Sequence, residues 1–383
     1  MSVTEVYLDP PGPQQYREKL FDRESNPYMG DDILAPFVAV RDRLVAAGFS
    51  VRTADAIPAI PDGQQRLLIS FGTPNRMPWL SVRRYRKLAR RADIIMSAFV
   101  TIECPVVEPR MYAALPELSR IFRRVLSWSD TESLLPFTHQ PVDVERYCWP
   151  QSFDAVHDGL WDRGGRKFLV MMNANKLPRL YRDELYTARL RAVQYFHDLG
   201  EIDLYGRNWD QAPVRVGKTY TPAVLRRLES RLWEWRQRHW PDPVFQAVAA
   251  ASRGPAQSKS DTISRYRFAI CFENSILRGW MTEKLFDCFF VGTVPVYWGA
   301  PDVLQWVPAE CFIDMRQFRD FAELRSFLHA LTPADETRYR EAARDYLASS
   351  QFDPFRRGTF AERLGQIAED DARPTTGRRV IET

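Results

Sequence analysis

The feature that most constrains the fold of this chain is a regular alternation of short apolar runs with longer segments of helical periodicity. Such alternation is typical of a parallel β-sheet covered by helices. In the first half, the runs predicted to form strands lie at 3–8, 49–53, 66–71, 93–102 and within 121–128. Helices are predicted between them at 33–47 and 83–91.

A second series of the same kind begins after Gly164-Gly165, which is the best linker candidate. Its predicted strands lie at 168–173, 202–206, 266–272, 293–298 and 312–314, and its predicted helices at 183–199, 282–290 and 320–348. The polar, basic and tryptophan-rich segment 211–262 departs from the pattern and is interpreted as an insertion. We therefore predict two doubly wound α/β domains, at 1–160 and 161–348, with a C-terminal segment and tail at 349–383.

Length and composition exclude several classes of protein. A chain of 383 residues is the right size for two domains, and it has no uninterrupted apolar run of about 18 residues that would span a membrane. No secretory signal is visible at its start, so a cytoplasmic location is expected. The net charge of +4 is spread along the chain and argues against a nucleic-acid partner.

The cysteines and histidines give no support to a metal site. Five widely spaced cysteines in apolar contexts are predicted to be buried, reduced thiols. No CxxC, HxxxH or HExxH motif occurs, and no strict DxD motif is present. Gly217-Lys218-Thr219 is not interpreted as a phosphate-binding P-loop, because Ala212 replaces the required earlier glycine and no buried strand precedes it.

Two consecutive doubly wound domains leave a cleft between them, with ligands at the carboxyl ends of the strands. Thr282 follows a turn and precedes an apolar helix, so it is predicted to cap that helix and to leave free amides beside any phosphate placed there. Lys284 adds a positive charge in the same turn. Lys176, where a strand passes into a loop, is a weaker phosphate-binding candidate. On these residues alone, an ordinary helix start remains the alternative.

The segment from Tyr266 to Phe318 is the most informative in the chain. It contains Phe272-Glu273-Asn274, Trp280, Thr282-Glu283-Lys284 and Gly292-Thr293-Val294-Pro295-Val296-Tyr297-Trp298-Gly299 in fixed order. This pattern resembles the donor-binding motif of glycosyltransferase family 10, the α-1,3/1,4-fucosyltransferases. The resemblance covers roughly residues 95–320, and the first 90 residues carry little of it.

The resemblance implies a fold of the GT-B type, with an N-terminal acceptor domain and a C-terminal nucleotide-sugar domain. It implies an inverting transferase that moves fucose from GDP-fucose onto a glycan, such as a cell-surface polysaccharide or lipopolysaccharide, without a metal cofactor. Glu103, in Thr101-Ile102-Glu103-Cys104-Pro105, is similar to the family's catalytic stretch and would be the base. Cys104 departs from the commoner small polar residue, and Glu108 is the rival candidate.

The resemblance also implies a donor site. Lys284 would contact the diphosphate, Glu283 would take hydroxyls of the donor, and Asn274 and Trp280 would line the pocket. Tyr205 could offer a flat surface to the base.

A departing diphosphate needs a second cation, and the family places an arginine on the helix after the first strand of the donor domain. Arg189 gives the best register, with Arg182 and Arg191 as competitors. A solvent-exposed helix arginine is the structural alternative.

Two other functions remain open at this point. One is a transferase of the same fold that uses another GDP-sugar, such as GDP-mannose. The other is a catalytically silent glycan-binding protein. In addition, the stretch 226–240 would carry Leu228, Leu232, Trp235 and His239 on one helical face. This face is expected to pack on the domain, and a peripheral membrane contact is the alternative.

Overall fold

Two separate parallel β-sheets, one in each half of the chain, form the framework of the molecule. The computed structural model describes residues 4–24, 31–73, 78–179, 181–217 and 222–373. The predicted strand residue 3, the Lys218-Thr219 pair and tail residues 374–383 lie outside the described residues.

The first sheet has six strands in the order β2-β1-β3-β4-β5-β6. They are β1 (Glu5–Asp9), β2 (Ser50–Thr53), β3 (Arg66–Phe71), β4 (Ile94–Val100), β5 (Arg124–Ser127) and β6 (Glu145–Arg146). The helices of this half are α1 (Ala35–Ala46), α2 (Pro78–Ala89), α3 (Pro109–Ile121) and α4 (Thr131–Thr138). All six residues of β3 are buried, as expected for a strand covered by helices on both faces.

The second sheet has five parallel strands in the order β13-β12-β11-β7-β9, and β8 pairs with β10 in a separate two-stranded sheet. The strands are β7 (Lys167–Met172), β8 (Lys176–Pro178), β9 (Ile202–Tyr205), β10 (Val214–Val216), β11 (Tyr266–Phe272), β12 (Val294–Trp298) and β13 (Ile313–Asp314). The helices are α5 (Asp158–Trp161), α6 (Tyr186–Asp198), α7 (Ala223–His239), α8 (Pro243–Ala251), α9 (Lys259–Ile263), α10 (Glu283–Val291), α11 (Phe321–Ala330), α12 (Pro333–Ala348) and α13 (Arg357–Ala372). The predicted doubly wound α/β architecture is confirmed.

Both sheets reverse their winding direction at one strand. In the second sheet, β7 lies between β9 and β11, so the connections leave it in opposite directions. Ligands of open α/β sheets bind in the crevice that forms at the carboxyl ends of strands at such a point. In this chain that crevice is bordered by Asn173–Asn175 after β7 and by Glu273-Asn274 after β11.

The last helix returns to the first sheet. Residues Phe360, Leu364 and Ala368 of α13 are buried in the core cluster of the N-terminal sheet. Asp371 is buried there and accepts hydrogen bonds from Ser97 Oγ at 2.6 Å and from Arg124 Nη1 at 2.9 Å. The C-terminal segment, which sequence analysis leaves as a separate piece, therefore packs with the N-terminal half; the proposed boundary at residue 160 stays a prediction.

The cysteines are unpaired, as predicted. Four of the five are buried and Cys148 is half-buried. In the described part of the chain, no helix has the length and apolarity needed to cross a bilayer.

A loop of the C-terminal half docks directly on the N-terminal half. Gly279 has φ +77°, and a Cβ atom at this position would lie 2.2 Å from the carbonyl oxygen of Trp128. The Gly279 amide donates to Asp302 Oδ1 at 2.8 Å, and Ser129 Oγ donates to the carbonyl of Arg278. Only glycine combines this left-handed conformation with so close an approach of two backbones.

Gly279→Ala is therefore expected to lower the free energy of unfolding by about 1–3 kcal/mol, because it adds both backbone strain and a clash. Chemical denaturation would measure the change. Gly164→Ala is the matched control, since nothing lies within 4 Å of its Cβ position and its φ is not in the left-handed region. Equal stability of the two variants would contradict the close contact at Trp128.

Candidate active site

The fully buried carboxylate of Glu273 is the centre of a polar cluster at the carboxyl end of β11. It accepts hydrogen bonds from the backbone amide of Thr282 at 2.7 Å and from Thr282 Oγ1 at 2.9 Å. Lys284 Nζ lies 3.1 Å from Glu273 Oε2. Glu273 thus joins the end of β11 to the start of α10.

Gly299 is needed beside this carboxylate. A Cβ atom on Gly299 would lie 2.5 Å from Cγ of Glu273 and 2.5 Å from the hydroxyl of Tyr297. Glu273 lies within the Phe272-Glu273-Asn274 motif, but the sequence alone indicates no role for it. The signal that could have identified it was an acidic residue directly after a buried strand, at the point where the winding of the sheet reverses.

The start of α10 has the predicted cap. The side chain of Thr282 accepts a hydrogen bond from the amide of Lys284, and the other amides of the first turn have no acceptor within the helix. Burial opposes the charge of Lys284, but the neighbouring carboxylates of Glu273 and Glu283 raise its pKa above the usual value. Lys284 is therefore a permanent cation at the positive end of a helix dipole.

Arg189, on α6, reaches the same place. It is only 4% exposed. Its Nε and Nη2 donate to the carbonyl oxygen of Phe272 at 3.0 and 2.6 Å, and Nη2 also donates to Asn274 Oδ1 at 3.0 Å. The competing registers, Arg182 and Arg191, are exposed. The structure therefore brings Arg189, and not its competitors, to the end of β11.

Glu103 and Glu108 follow β4 on the opposite side of the cleft. One carboxylate oxygen of each, Oε2, is buried without a hydrogen-bond partner. Burial raises the pKa of Glu103, and the positive charges of Lys176 and Lys284 partly offset this rise. Burial and the charge of Glu103 raise the pKa of Glu108 to about 8. Of the two carboxylates, Glu103 is the one that the lysines of the other domain stabilise as an anion.

A further cation, which sequence analysis missed, lies beside α10. Lys259 of α9 forms ion pairs with Glu283, at 3.4 Å, and with Asp287. Burial disfavours the ionised form of Glu283, yet the charges of Lys284 and Lys259 lower the pKa of this carboxyl below its usual range. Burial raises the pKa of Asp287 to about 6. Glu283 is therefore ionised and fixed between two lysines.

Asp31 holds α9 in place from the first domain. Its carboxylate accepts from the amides of Ser260 at 2.7 Å and Lys259 at 3.1 Å, and from Ser258 Oγ at 2.9 Å. No local pattern in the sequence indicates this contact, because more than 200 residues separate its two sides.

The remaining predicted donor-site residues lie in three different settings. Lys176 is exposed at the start of β8, and its charge acts on the carboxylate of Glu103. Tyr205 is half-buried at the end of β9, with its hydroxyl 3.4 Å from that of Tyr266. Trp280 is 1% exposed and stacks on Trp128 with ring centroids 4.0 Å apart, so it is packed between the domains rather than open to the cleft.

The described residues contain no group of three or more His, Cys, Asp or Glu side chains arranged to hold a metal ion. What they do bring together is a set of fixed cations with hydrogen-bonded carboxylates on one side of the cleft, and a partly desolvated carboxylate on the other. Such a site can bind a doubly charged phosphate group and take a proton from a hydroxyl group beside it.

The role of Glu273 can be tested by stability. Glu273→Gln is expected to lower the free energy of unfolding by about 3 kcal/mol, because it removes the shorter of the two ion pairs of the buried Lys284. Urea denaturation would measure the difference. The control is Glu362→Gln, which removes an ion pair with Arg43 in which the glutamate is exposed. That change should cost less than about 1 kcal/mol. Similar losses in both variants would contradict a central role for Glu273.

A sequence model described as glycosyltransferase family 10 (fucosyltransferase), C-terminal domain, matches residues 237–347. An α-(1,3)-fucosyltransferase of Helicobacter pylori is 35% identical over 75 residues, which cover 20% of this chain and 16% of that protein. Human α-(1,3)-fucosyltransferase 7 is 33% identical over 180 residues, 43% of this chain and 51% of that protein. The chain thus spans about half, or less, of the length of these curated relatives.

A solved α-glucosyltransferase, in complex with UDP and DNA, resembles the whole chain with a TM-score of 0.53 at 12% identity, covering 97% of this chain and 99% of that one. At this identity the likeness concerns the fold alone, and it agrees with two doubly wound domains of the GT-B type. The matched segment 237–347 contains Glu273, Thr282, Glu283 and Lys284. Residues 237–347 thus match the C-terminal domain of glycosyltransferase family 10.

Proposed function

We propose that this protein is an inverting α-1,3/1,4-fucosyltransferase that transfers fucose from GDP-fucose to a glycan acceptor. The observation that supports this most is that the charge of Lys284, which lies near Arg189 at the end of β11, acts on the carboxylate of Glu103 on the other side of the cleft. The family of the C-terminal domain supports the same reaction class. A silent glycan-binding protein would have no need for a desolvated carboxylate opposite a set of buried cations.

In the proposed reaction, Glu103 accepts the proton of the incoming acceptor hydroxyl. The bond from the sugar to the diphosphate breaks as the new bond forms on the opposite face, through a state with oxocarbenium character. The raised pKa of Glu103 favours this role, because a stronger base is a better proton acceptor.

The leaving diphosphate gains negative charge in this step. Lys284, Arg189 and the amides at the start of α10 form the proposed site for it, and Lys176 is a further cation at its rim. Because these groups are already held by protein hydrogen bonds, they would need little rearrangement as the charge develops. No metal ion is part of this proposal.

Glu283, Asn274 and Tyr205 are proposed to contact the rest of the donor. The ionised carboxylate of Glu283 can accept hydrogen bonds from the donor's hydroxyl groups. Trp280 is covered by Trp128, and we propose that it supports the loop before α10. It would line the donor pocket only if the domains separated.

The acceptor is proposed to be a polysaccharide or lipopolysaccharide glycan, met in the cytoplasm. The first 90 residues, with little family resemblance, belong to the half that would bind it. A transferase of the same fold that uses GDP-mannose is the remaining alternative, because a pocket for a 6-deoxysugar does not strongly reject the analogue with the extra hydroxyl.

Glu103→Gln is expected to lower turnover by about 10²- to 10⁴-fold with nearly unchanged donor affinity, because the amide cannot accept the proton. Turnover of the unmodified protein should rise with pH through the raised pKa of Glu103, since only the carboxylate form acts as a base. Initial rates with GDP-fucose from pH 5 to 9 would measure both effects.

Glu341→Gln, a change on the exposed surface of α12, is the control for this experiment and should leave turnover unchanged. If Glu108→Gln instead abolishes turnover and Glu103→Gln does not, then the base is assigned to the wrong glutamate.

The donor nucleotide is expected to be guanosine diphosphate. GDP should raise the thermal midpoint of the protein more than UDP or CDP at the same concentration, because only a bound ligand stabilises the folded state. Lys284→Met should lose most of this shift. Lys167→Met, at the opposite end of the second sheet where its side chain is 64% exposed, should keep it. A larger shift with UDP would overturn the proposed donor, and GDP binding without fucose transfer would overturn only the sugar.

A further inference from the structure

Helix α7 presents an apolar stripe to solvent rather than to the protein. Leu225, Leu228, Leu232 and Trp235 are each between 50% and 57% exposed. Their spacing of three and four residues places them on one side of the helix. The expectation that this face packs on the domain is therefore wrong. The contact with the protein is made from another face, where the ring of Trp233 lies 5.7 Å from that of Phe245.

Positive charge borders the stripe. Arg227, Arg231 and Arg238 are exposed and lie on the helix surface next to the apolar side chains. The segment 223–240 holds five arginines against two glutamates. Trp240, also exposed, has its ring centroid 5.2 Å from that of Trp235 at the end of the helix.

We infer that α7 binds the surface of an anionic membrane, with its axis in the plane of the bilayer. A helix of this type inserts its apolar face at the boundary of headgroups and acyl chains, while flanking arginines meet lipid phosphates. Tryptophan is favoured at this depth because its ring is amphipathic. Charge complementarity selects this partner over a second copy of the chain, whose α7 would present the same arginines and repel.

The chain just before α7 contacts the N-terminal half beside the cleft. Just before it, the amide of Gly217 donates to the carbonyl oxygen of Val107 at 3.2 Å, next to Glu108 and close to Glu103. The chain from Gly217 to Ala223 can span at most about 20 Å. A bilayer bound at α7 would thus lie near the mouth of the cleft and present a membrane-borne acceptor to it. This last step rests on the proposed function, whereas membrane binding does not.

The test is sedimentation of the full chain with lipid vesicles, without donor or acceptor. Vesicles of phosphatidylcholine with about 30% phosphatidylglycerol should bind it, and vesicles of pure phosphatidylcholine should bind it at least tenfold more weakly. The variant Leu228→Ser/Leu232→Ser/Trp235→Ser should lower the affinity at least tenfold. The variant Arg227→Gln/Arg231→Gln/Arg238→Gln should also lower the affinity at least tenfold. Raised salt should weaken vesicle binding by the unmodified protein.

The matched control is Ile60→Ser/Trp79→Ser/Leu304→Ser, which removes two aliphatic side chains and one tryptophan that are between 54% and 80% exposed elsewhere. It should bind vesicles as the unmodified protein does. Absence of vesicle binding, or equal binding by the control and the α7 variants, would overturn the inference. So would concentration-dependent self-association that only the α7 apolar variant loses, since the stripe would then be an interface between copies. Because no sugar transfer is measured, failure here leaves the proposed reaction untouched.

Discussion

The buried carboxylate of Glu273 is the interaction on which the candidate site depends. It accepts hydrogen bonds from the amide and hydroxyl of Thr282 and from the ammonium group of Lys284. Three donors from the start of α10 are thus held at the end of β11. A buried anion is tolerated only when such donors surround it. The same arrangement orients the helix start and keeps Lys284 charged. The strand, the cap and the cation are therefore one structural unit.

The second half of the site is fixed by contacts between the domains. Gly279 allows the loop before α10 to reach the backbone of Trp128, and Trp280 stacks on the same tryptophan. Helix α13 packs back on the N-terminal sheet, so the last described helix belongs with the first domain. These contacts fix the position of Glu103 relative to Lys176 and Lys284 across the cleft. The electrostatic difference between Glu103 and Glu108 follows from this, since the lysines oppose the rise in pKa only for Glu103.

The insertion between β10 and α9 differs from the rest of the molecule in where its apolar side chains lie. Elsewhere, most large apolar side chains of the described residues lie in the cores between sheets and helices, whereas α7 turns its leucines outward and borders them with arginines. An apolar stripe that stays exposed lowers solubility unless another surface covers it. Helix α7 follows closely in the chain after Gly217, whose amide donates to Val107 near Glu103. The proposed membrane-binding surface and the proposed base are therefore connected by a short stretch of chain.

The sequence by itself determined the two parallel sheets and the cap at Thr282, because these follow from local periodicity and turn chemistry. On the family resemblance it favoured Arg189, but it left Arg182 and Arg191 as competitors. It also pointed to Glu103 as a strand-end carboxylate. Only the tertiary structure decided that Glu273 is the centre of the cluster, that Lys259 joins it, that Trp280 is covered and that α13 returns to the first sheet. It also decided which face of α7 is exposed. The physical reason is that periodicity reports which side of an element is apolar but not what covers that side. Contacts such as Asp31 with α9 join residues far apart in the chain, and they exist only once both domains are folded.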